Sequence, residues 1–387
     1  MKTMLTLKRF ILLSVLITVT TEIIQAQKVS YTFNETLRLG DPEEFDENYI
    51  FQSPNHITVG NNGEIFVSDR SRNNIKLYNS DGEFVRQIGS RGRGPGEFIE
   101  ISSMYIDPSQ NHLMVVDRMN LRVVRFQMNG EYIKTHNLPE GPVISPWMGR
   151  ADDNGFHYLL YRIPVMPDEP GPSEDHLIHI YDSEFSEVVY SLGDVSRFGD
   201  TSEYIIDKSL GGPNTGLFEL LPGQRLIGAP HFYDGQIYLY KKSQSGWTID
   251  AELEGEQPWG EVAQEVDASD PPGYAVRMGT PRGAIAFLKF STTIGLHLVD
   301  ENTLAHYVHF QDESHENGEV GVSLFDLSDG RFLGYTKIQE LSRDHMEPKS
   351  TGWDIQIKYS VGNTIYFVDN RYKEPHIVVA EIEIIVE

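Results

Sequence analysis

The chain of 387 residues contains no cysteine. That excludes a disulfide framework, a thiol nucleophile, a cysteine-built metal site and a lipid anchor, which would need a Cys at the cleavage point. Basic charge is scarce. The 32 Lys and Arg face 57 Asp and Glu, a formal net charge of −25. Such a surface repels phosphate backbones, so nucleic acid is not an expected partner. Long apolar runs are missing too. The longest, "FILLSVLITV" at 10–19, is half of the roughly 20 residues a spanning helix needs. It follows Lys2, Lys8 and Arg9 and precedes "TEIIQAQ", with Ala26 as a small residue before a cut. This is the pattern of a secretory signal peptide over 1–26, with 27–387 as one mature domain. Export to the periplasm or the cell exterior is expected, with no transmembrane segment. Losing Lys2, Lys8, Arg9 and Glu22 leaves 29 basic and 56 acidic residues, a net of −27.

Helical periodicity is nearly absent as well; "PWGEVAQEV" at 258–266 offers a helical turn or two. What is present is strand after strand. Short runs rich in Val, Ile, Tyr, Phe and Leu are separated by Asn-Gly, Asp-Gly and Pro-Gly breakers. These runs repeat. "EIFVSDRSRNNIKLYNSDGEF" at 64–84 returns as "HLMVVDRMNLRVVRFQMNGEY" at 112–132, with Asp69 and Arg70 falling on Asp117 and Arg118 at an offset of 48. Apolar positions keep their parity, as strands require. A third copy begins at "DNGFHYLLYR", where Arg162 falls on Arg70. Fainter starts occur at 222–232, 281–290 and 328–337. The residues then equivalent to Asp69 are Asp117, Tyr161, Ala229, Lys289 and Thr336. Spacings of 44 to 68 fit a four-stranded unit with variable loops.

Six units follow, an all-β six-bladed propeller, with seven blades as the alternative count. The blades are expected near 54–98, 99–140, 141–195, 212–255, 272–311 and 318–387, the last completed by 31–40. "LRLGDPEEF" at 37–45 reads as a last strand with no unit before it, and "EPHIVVAEIEI" at 374–384 as a third strand with no fourth. Pairing the two ends would close the ring and remove its edges. "WDIQIKYSVGNTIYFVD" at 353–369 aligns with the first unit at an offset of 300. It is either the inner pair of the last blade or an inserted hairpin.

The stretch "PNHITVGNNGEIFVSDRSRNNIKLYNSDGEFVRQIGSRGRGPGEF" at 54–98 resembles an NHL repeat, with its Pro-x-x-Ile start, Val-x-Asp strand end, Asn-x-Ile middle and Gly-rich exit to Phe. The whole chain is similar to exported bacterial six-bladed β-propeller proteins of the NHL/TolB-like kind. The first two units match strongly, the third fairly and the rest in architecture only. The resemblance implies a propeller but no single activity. Such folds include protein-binding modules, sugar sensors, lactonases, strictosidine-synthase-like proteins and a peptidyl-hydroxyglycine lyase, and none of their catalytic sets finds matching residues here.

Asp69 and Asp117 have a structural reading, as strand-end carboxylates accepting the amides of the next turn. They have a functional one too. Arg70, Arg118, Arg162 and Lys337, at equivalent heights, would ring one mouth of a central tunnel. Guanidinium forks there would seat a carboxylate, sulfate or phosphate. His157, His231 and His297 lie on or near inner strands, while His306 and His309 share another; no metal-ligand spacing appears. No cofactor is predicted. Calcium held in the channel by backbone and carboxylate oxygens stays open. "SRGRGPGEF" at 90–98 lacks the Lys-Ser/Thr of a phosphate loop and reads as an inter-blade connection plugged by Phe98. The insertions at 162–176 and 254–279 carry Pro, Trp, Tyr and Met suited to a recognition face. The expected function is a binding or scaffold module for a small anionic or carbohydrate ligand, or a partner protein, at one face. The alternative is a metal-dependent propeller hydrolase or lyase with a channel site.

Overall fold

A ring of six four-stranded antiparallel sheets surrounds a central channel, with a seventh, three-stranded sheet inserted between the fourth and fifth. The structure, a computed structural model, describes residues 29–40, 46–139, 146–161, 176–194, 216–260, 263–272, 275–280, 283–289, 291–311, 318–342 and 355–386. The expected signal segment, Arg162 and nearly all of the 162–176 insertion lie outside the described residues. No helix among the described residues is long and apolar enough to cross a membrane.

Blades one to five span 54–88, 101–137, 146–194, 217–254 and 291–337, and each runs from its inner strand outward in sequence order. Blade six takes three strands from 355–386 and its outermost from Val29–Leu39. The N-terminal strand pairs antiparallel along the last strand of the chain, with Arg38 opposite Val378 and Leu39 opposite Ile377. The inner strands of consecutive blades contact one another around a closed circle, the sixth returning to the first.

The core is divided among the gaps between blades. Phe66, Ile75 and Leu77 of blade one meet Leu113, Val115 and Phe126 of blade two. At the closure, Leu39, Val59 and Ile65 meet Val368 and Val379. The middle strands of a blade are apolar on both faces because the blade is sandwiched between its neighbours, so the strands Ile65–Asp69 and Asn74–Tyr78 are buried at every position. Phe98 fills the exit from blade one with no exposed surface. It fits because Gly89 lies against its ring in a left-handed conformation (φ +73°) that only glycine takes without strain.

The second half of the chain is divided differently from the repeat count. The segment 281–290 supplies the middle strand, Gly283–Lys289, of the inserted sheet, and is not a blade strand. Blade five begins at Ser291, and 328–337 supplies its outermost strand, Arg331–Lys337. Within 258–266, where a helical turn was expected, Ala263–Val266 is a strand paired with Gly283–Lys289. Residues 355–369 form the inner pair of blade six, the first of the two alternatives. The residues that occupy the place of Asp69 in the last two blades are therefore Phe310 and Asp369.

Candidate functional site: the central channel

Six inner strands line the axis: Pro54–Val59, Ile101–Asp107, Pro146–Ala151, Leu217–Leu221, Ser291–Leu298 and Ile355–Val361. Several carry an irregularity in their pairing at which one residue is skipped. Asn55, Trp147, Ile294 and Lys358 are such residues, and all four line the channel. A bulge re-aims a side chain that regular alternation would send into the sheet interface.

Two cavities, of about 120 and about 290 Å³, lie along the axis. The first opens where the inner strands begin, the second where they end. They share Ile57, Met104, Arg150, His297 and Lys358, which form the junction between them. Around the first cavity, Met148, Leu217 and Leu296 form an apolar wall, broken by the amides of Asn55 and Gln356 and by His56 and His231.

The charges at the junction are unbalanced. Arg150 Nε donates to Glu219 Oε2 at 3.2 Å, and Arg150 Nη1 donates to the carbonyl of Gly149. Lys358 has no carboxylate partner among the described residues, and burial lowers its ammonium to about 8. His297 is only 7% exposed; burial and the nearby Arg150 charge lower it to about 3. His56 is pushed down by burial first, then by Lys358, Arg150 and Arg70. Nε2 of both histidines is buried without a hydrogen-bond partner. Two cations face one carboxylate, beside two neutral imidazoles with unused ring nitrogens. The arrangement suits an anion, which would supply the missing countercharge and accept hydrogen bonds.

A resident calcium fits poorly, since among the described residues Glu219 is the one carboxylate lining either cavity and is already committed to Arg150. No group of three or more His, Asp or Glu that could hold a metal ion occurs among the described residues.

The residues singled out from the repeat lie around the first cavity's mouth or farther out. Asp69 Oδ atoms accept the amides of Gln52, Ser53 and Ser71 at 2.9–3.3 Å. Asp117 accepts from the amides of Ile99 and Glu100, from Asn120 Nδ2 and from Arg122 Nε. Both carboxylates are fully buried and knit the preceding loop to the blade. Arg70 and Arg118, from adjacent blades, converge on Glu100 at 2.8 and 2.7 Å. The Arg118 guanidinium also lies 5.1 Å from the centroid of Trp147, which lines the channel. Lys337 sits on the outermost strand of blade five, 3.6 Å from Glu319. Arg70 and Arg118 are thus brought together and Lys337 is not.

Of the histidines, His297 and His231 line the channel. His157 is a packed core residue stacked on Phe185 and within hydrogen-bond distance of the Tyr105 hydroxyl, and burial lowers it to about 4. His306, on the second strand of blade five, is within hydrogen-bond distance of the Thr293 hydroxyl and is lowered to about 3 by burial. Arg150, Glu219, Lys358 and His56 were not anticipated. A signal for them existed: the first strand of each blade is the channel strand, and four of these carry a full charge, Asp107, Arg150, Glu219 and Lys358.

Comparison with known proteins agrees with the architecture. A family model, DUF5128, described as a 6-bladed beta-propeller, matches residues 42–190. No curated protein matches the chain. Among solved structures, the chain is similar to a member of the DUF4221 family from Bacteroides vulgatus, at 12% identity and a TM-score of 0.61, covering 94% of this chain and 100% of that one. It is also similar to a candidate exported protein from Bacteroides fragilis, at 14% identity and a TM-score of 0.54, covering 92% and 95%. At such identities the likeness shows the fold alone.

Proposed function

We propose that this six-bladed propeller is an exported binding protein whose central channel holds a small anionic ligand. The observation that carries the reading is Lys358, placed at the channel junction by a strand bulge, lining the same cavities as Arg150 and without a carboxylate partner among the described residues. Leaving a cation half-stripped of water costs stability, and a bound anion repays that cost locally. Arg118, over the face of Trp147, and Arg70 supply a cationic rim that would draw anions toward the mouth of a protein whose net charge otherwise repels them. Support for export comes from the "FILLSVLITV…QAQ" segment.

The test is calorimetric titration and thermal shift with sulfate, benzoate and hexanoate as probes. Binding by wild type should weaken tenfold or more in Lys358→Met, with the fold retained. An absence of binding by all three probes at tens of millimolar overturns the reading. Mass analysis of protein recovered from the native host should find Gln27 at the N-terminus; an intact Met1 overturns the export part.

A further inference from the structure

We propose that the channel takes up an organic monocarboxylate together with a proton, the carboxylate lying between Arg150 and Lys358 and the proton passing from solvent to Nε2 of His56 or His297. This rests on the channel being an anion site and adds the ligand class and the linkage.

The ligand class follows from what surrounds the cations. Trp147, Met148, Leu217, Ile294 and Leu296 wall the first cavity, and its charged residues stand at the junction end. A fully hydrated ion such as sulfate would surrender water on all sides and gain charge pairing on one. A carboxylate with a hydrocarbon body matches both parts, burying the body against the wall and presenting two acceptor oxygens to the cations.

The linkage follows from the two imidazoles. Each has a buried, unpartnered Nε2, an anomaly in a protein interior. The charged and titratable groups facing them are Arg150 and Glu219 from blades three and four, His231 beyond the second strand of blade four, and Lys358 and Tyr359 from blade six. Arg70 acts on His56 from the mouth, and Tyr105 of blade two lines the second cavity. The set is net positive, which together with burial keeps both rings neutral in the empty channel. An incoming carboxylate reverses the local field, so a protonated ring becomes a donor to it and fills the empty valence at Nε2.

Titrations of benzoate and hexanoate between about pH 8 and about pH 6 test this, since free carboxyls of this kind titrate between about pH 4 and about pH 5 and stay almost wholly ionised over that range. Affinity should rise as pH falls, by at most about tenfold per unit for one coupled proton. Binding heats in two amine buffers of different ionisation enthalpy should reveal net proton uptake. His56→Gln and His297→Gln, tested singly, should reduce that uptake, and at least one should flatten the pH trend while still binding near pH 8. Carboxylate binding with unchanged affinity and no buffer dependence overturns the linkage and leaves the anion site standing. Sulfate binding more tightly than benzoate and hexanoate overturns the ligand class. Failure of all three probes at every pH overturns the underlying anion site instead.

Discussion

Two sets of charged residues sit a short way apart in this ring. At the strand ends, Asp69, Asp117 and Asp369 recur in register, and each is saturated by neighbours on its own blade or the loop feeding it. Along the axis, Arg150, Lys358, His56 and His297 occur once each, on four different blades; the two histidines leave Nε2 unpartnered, and Lys358 has no carboxylate partner among the described residues. A residue repeated around a propeller answers a need every blade has, namely tying a loop to a strand. A residue that interrupts the repeat answers no such need and marks where the ring differs from a generic scaffold. Charge repeated with the blade is carpentry; charge that breaks the repeat is the better sign of a site.

Asp117 is the strand-end carboxylate whose loss should cost most. Asp117→Ala strands the buried Arg122 guanidinium and frees two backbone amides, a loss of about 3–5 kcal/mol for an uncompensated buried ion pair. Denaturant unfolding should show that loss while benzoate affinity of the remaining folded protein stays within about twofold. A stable variant that no longer binds would reverse the roles assigned to rim and axis.

Acid should act next. His157 and His179 are lowered to about 4, and His297 and His306 to about 3, all with burial as the leading cause. Each is neutral when folded and takes a proton when unfolded between its lowered value and about 6.5. The unfolded state then binds more protons, so stability falls as pH drops through this window, by up to about 1.4 kcal/mol per unit per histidine. Thermal melts from pH 7 to pH 4 should fall steadily; a flat profile would mean the rings are already charged in the fold.

Lys358→Met should move stability the other way. A lysine held at about 8 is charged at neutral pH at a cost, so an apolar replacement is expected to stabilise by about 1–3 kcal/mol while weakening anion binding. Unchanged melting with unchanged binding would remove Lys358 from the site.

The smallest effect belongs to Arg70. It is half exposed, and Arg118 also holds Glu100, so Arg70→Ala should cost at most about 1 kcal/mol. Its signature is kinetic, a slower association that converges with wild type at high salt. Equal on-rates at low salt would deny it any part in a cationic rim.

The fold was largely legible because a propeller writes its blade into the chain as a period. Alternating apolar positions, Gly turns such as Asp81-Gly82, and a Val-x-Asp strand end made the early blades plain, and the unmatched strands at 37–45 and 374–384 gave the closure. The fifth blade was misplaced because 281–290 has the apolar alternation of a blade strand yet pairs inside the inserted sheet. Local pattern cannot tell which sheet a strand joins. The axial charges were missed for a related reason. Recurrence marks the strand ends, while Arg150 and Lys358 sit in inner strands whose only mark is a single ion in a segment otherwise free of charge. The bulge that turns Lys358 toward the axis is a matter of pairing, invisible until the partner strand is known.

The strand 29–39 is the earliest described piece of this chain to be made, yet its partner at 376–386 is the last. Until that partner exists, an eleven-residue edge waits alone and the circle is a horseshoe with a gap. Joining such distant segments demands a large loss of chain freedom and comes late in assembly. A single cut or truncation at either tip should therefore open the whole ring, however intact the four middle sheets remain.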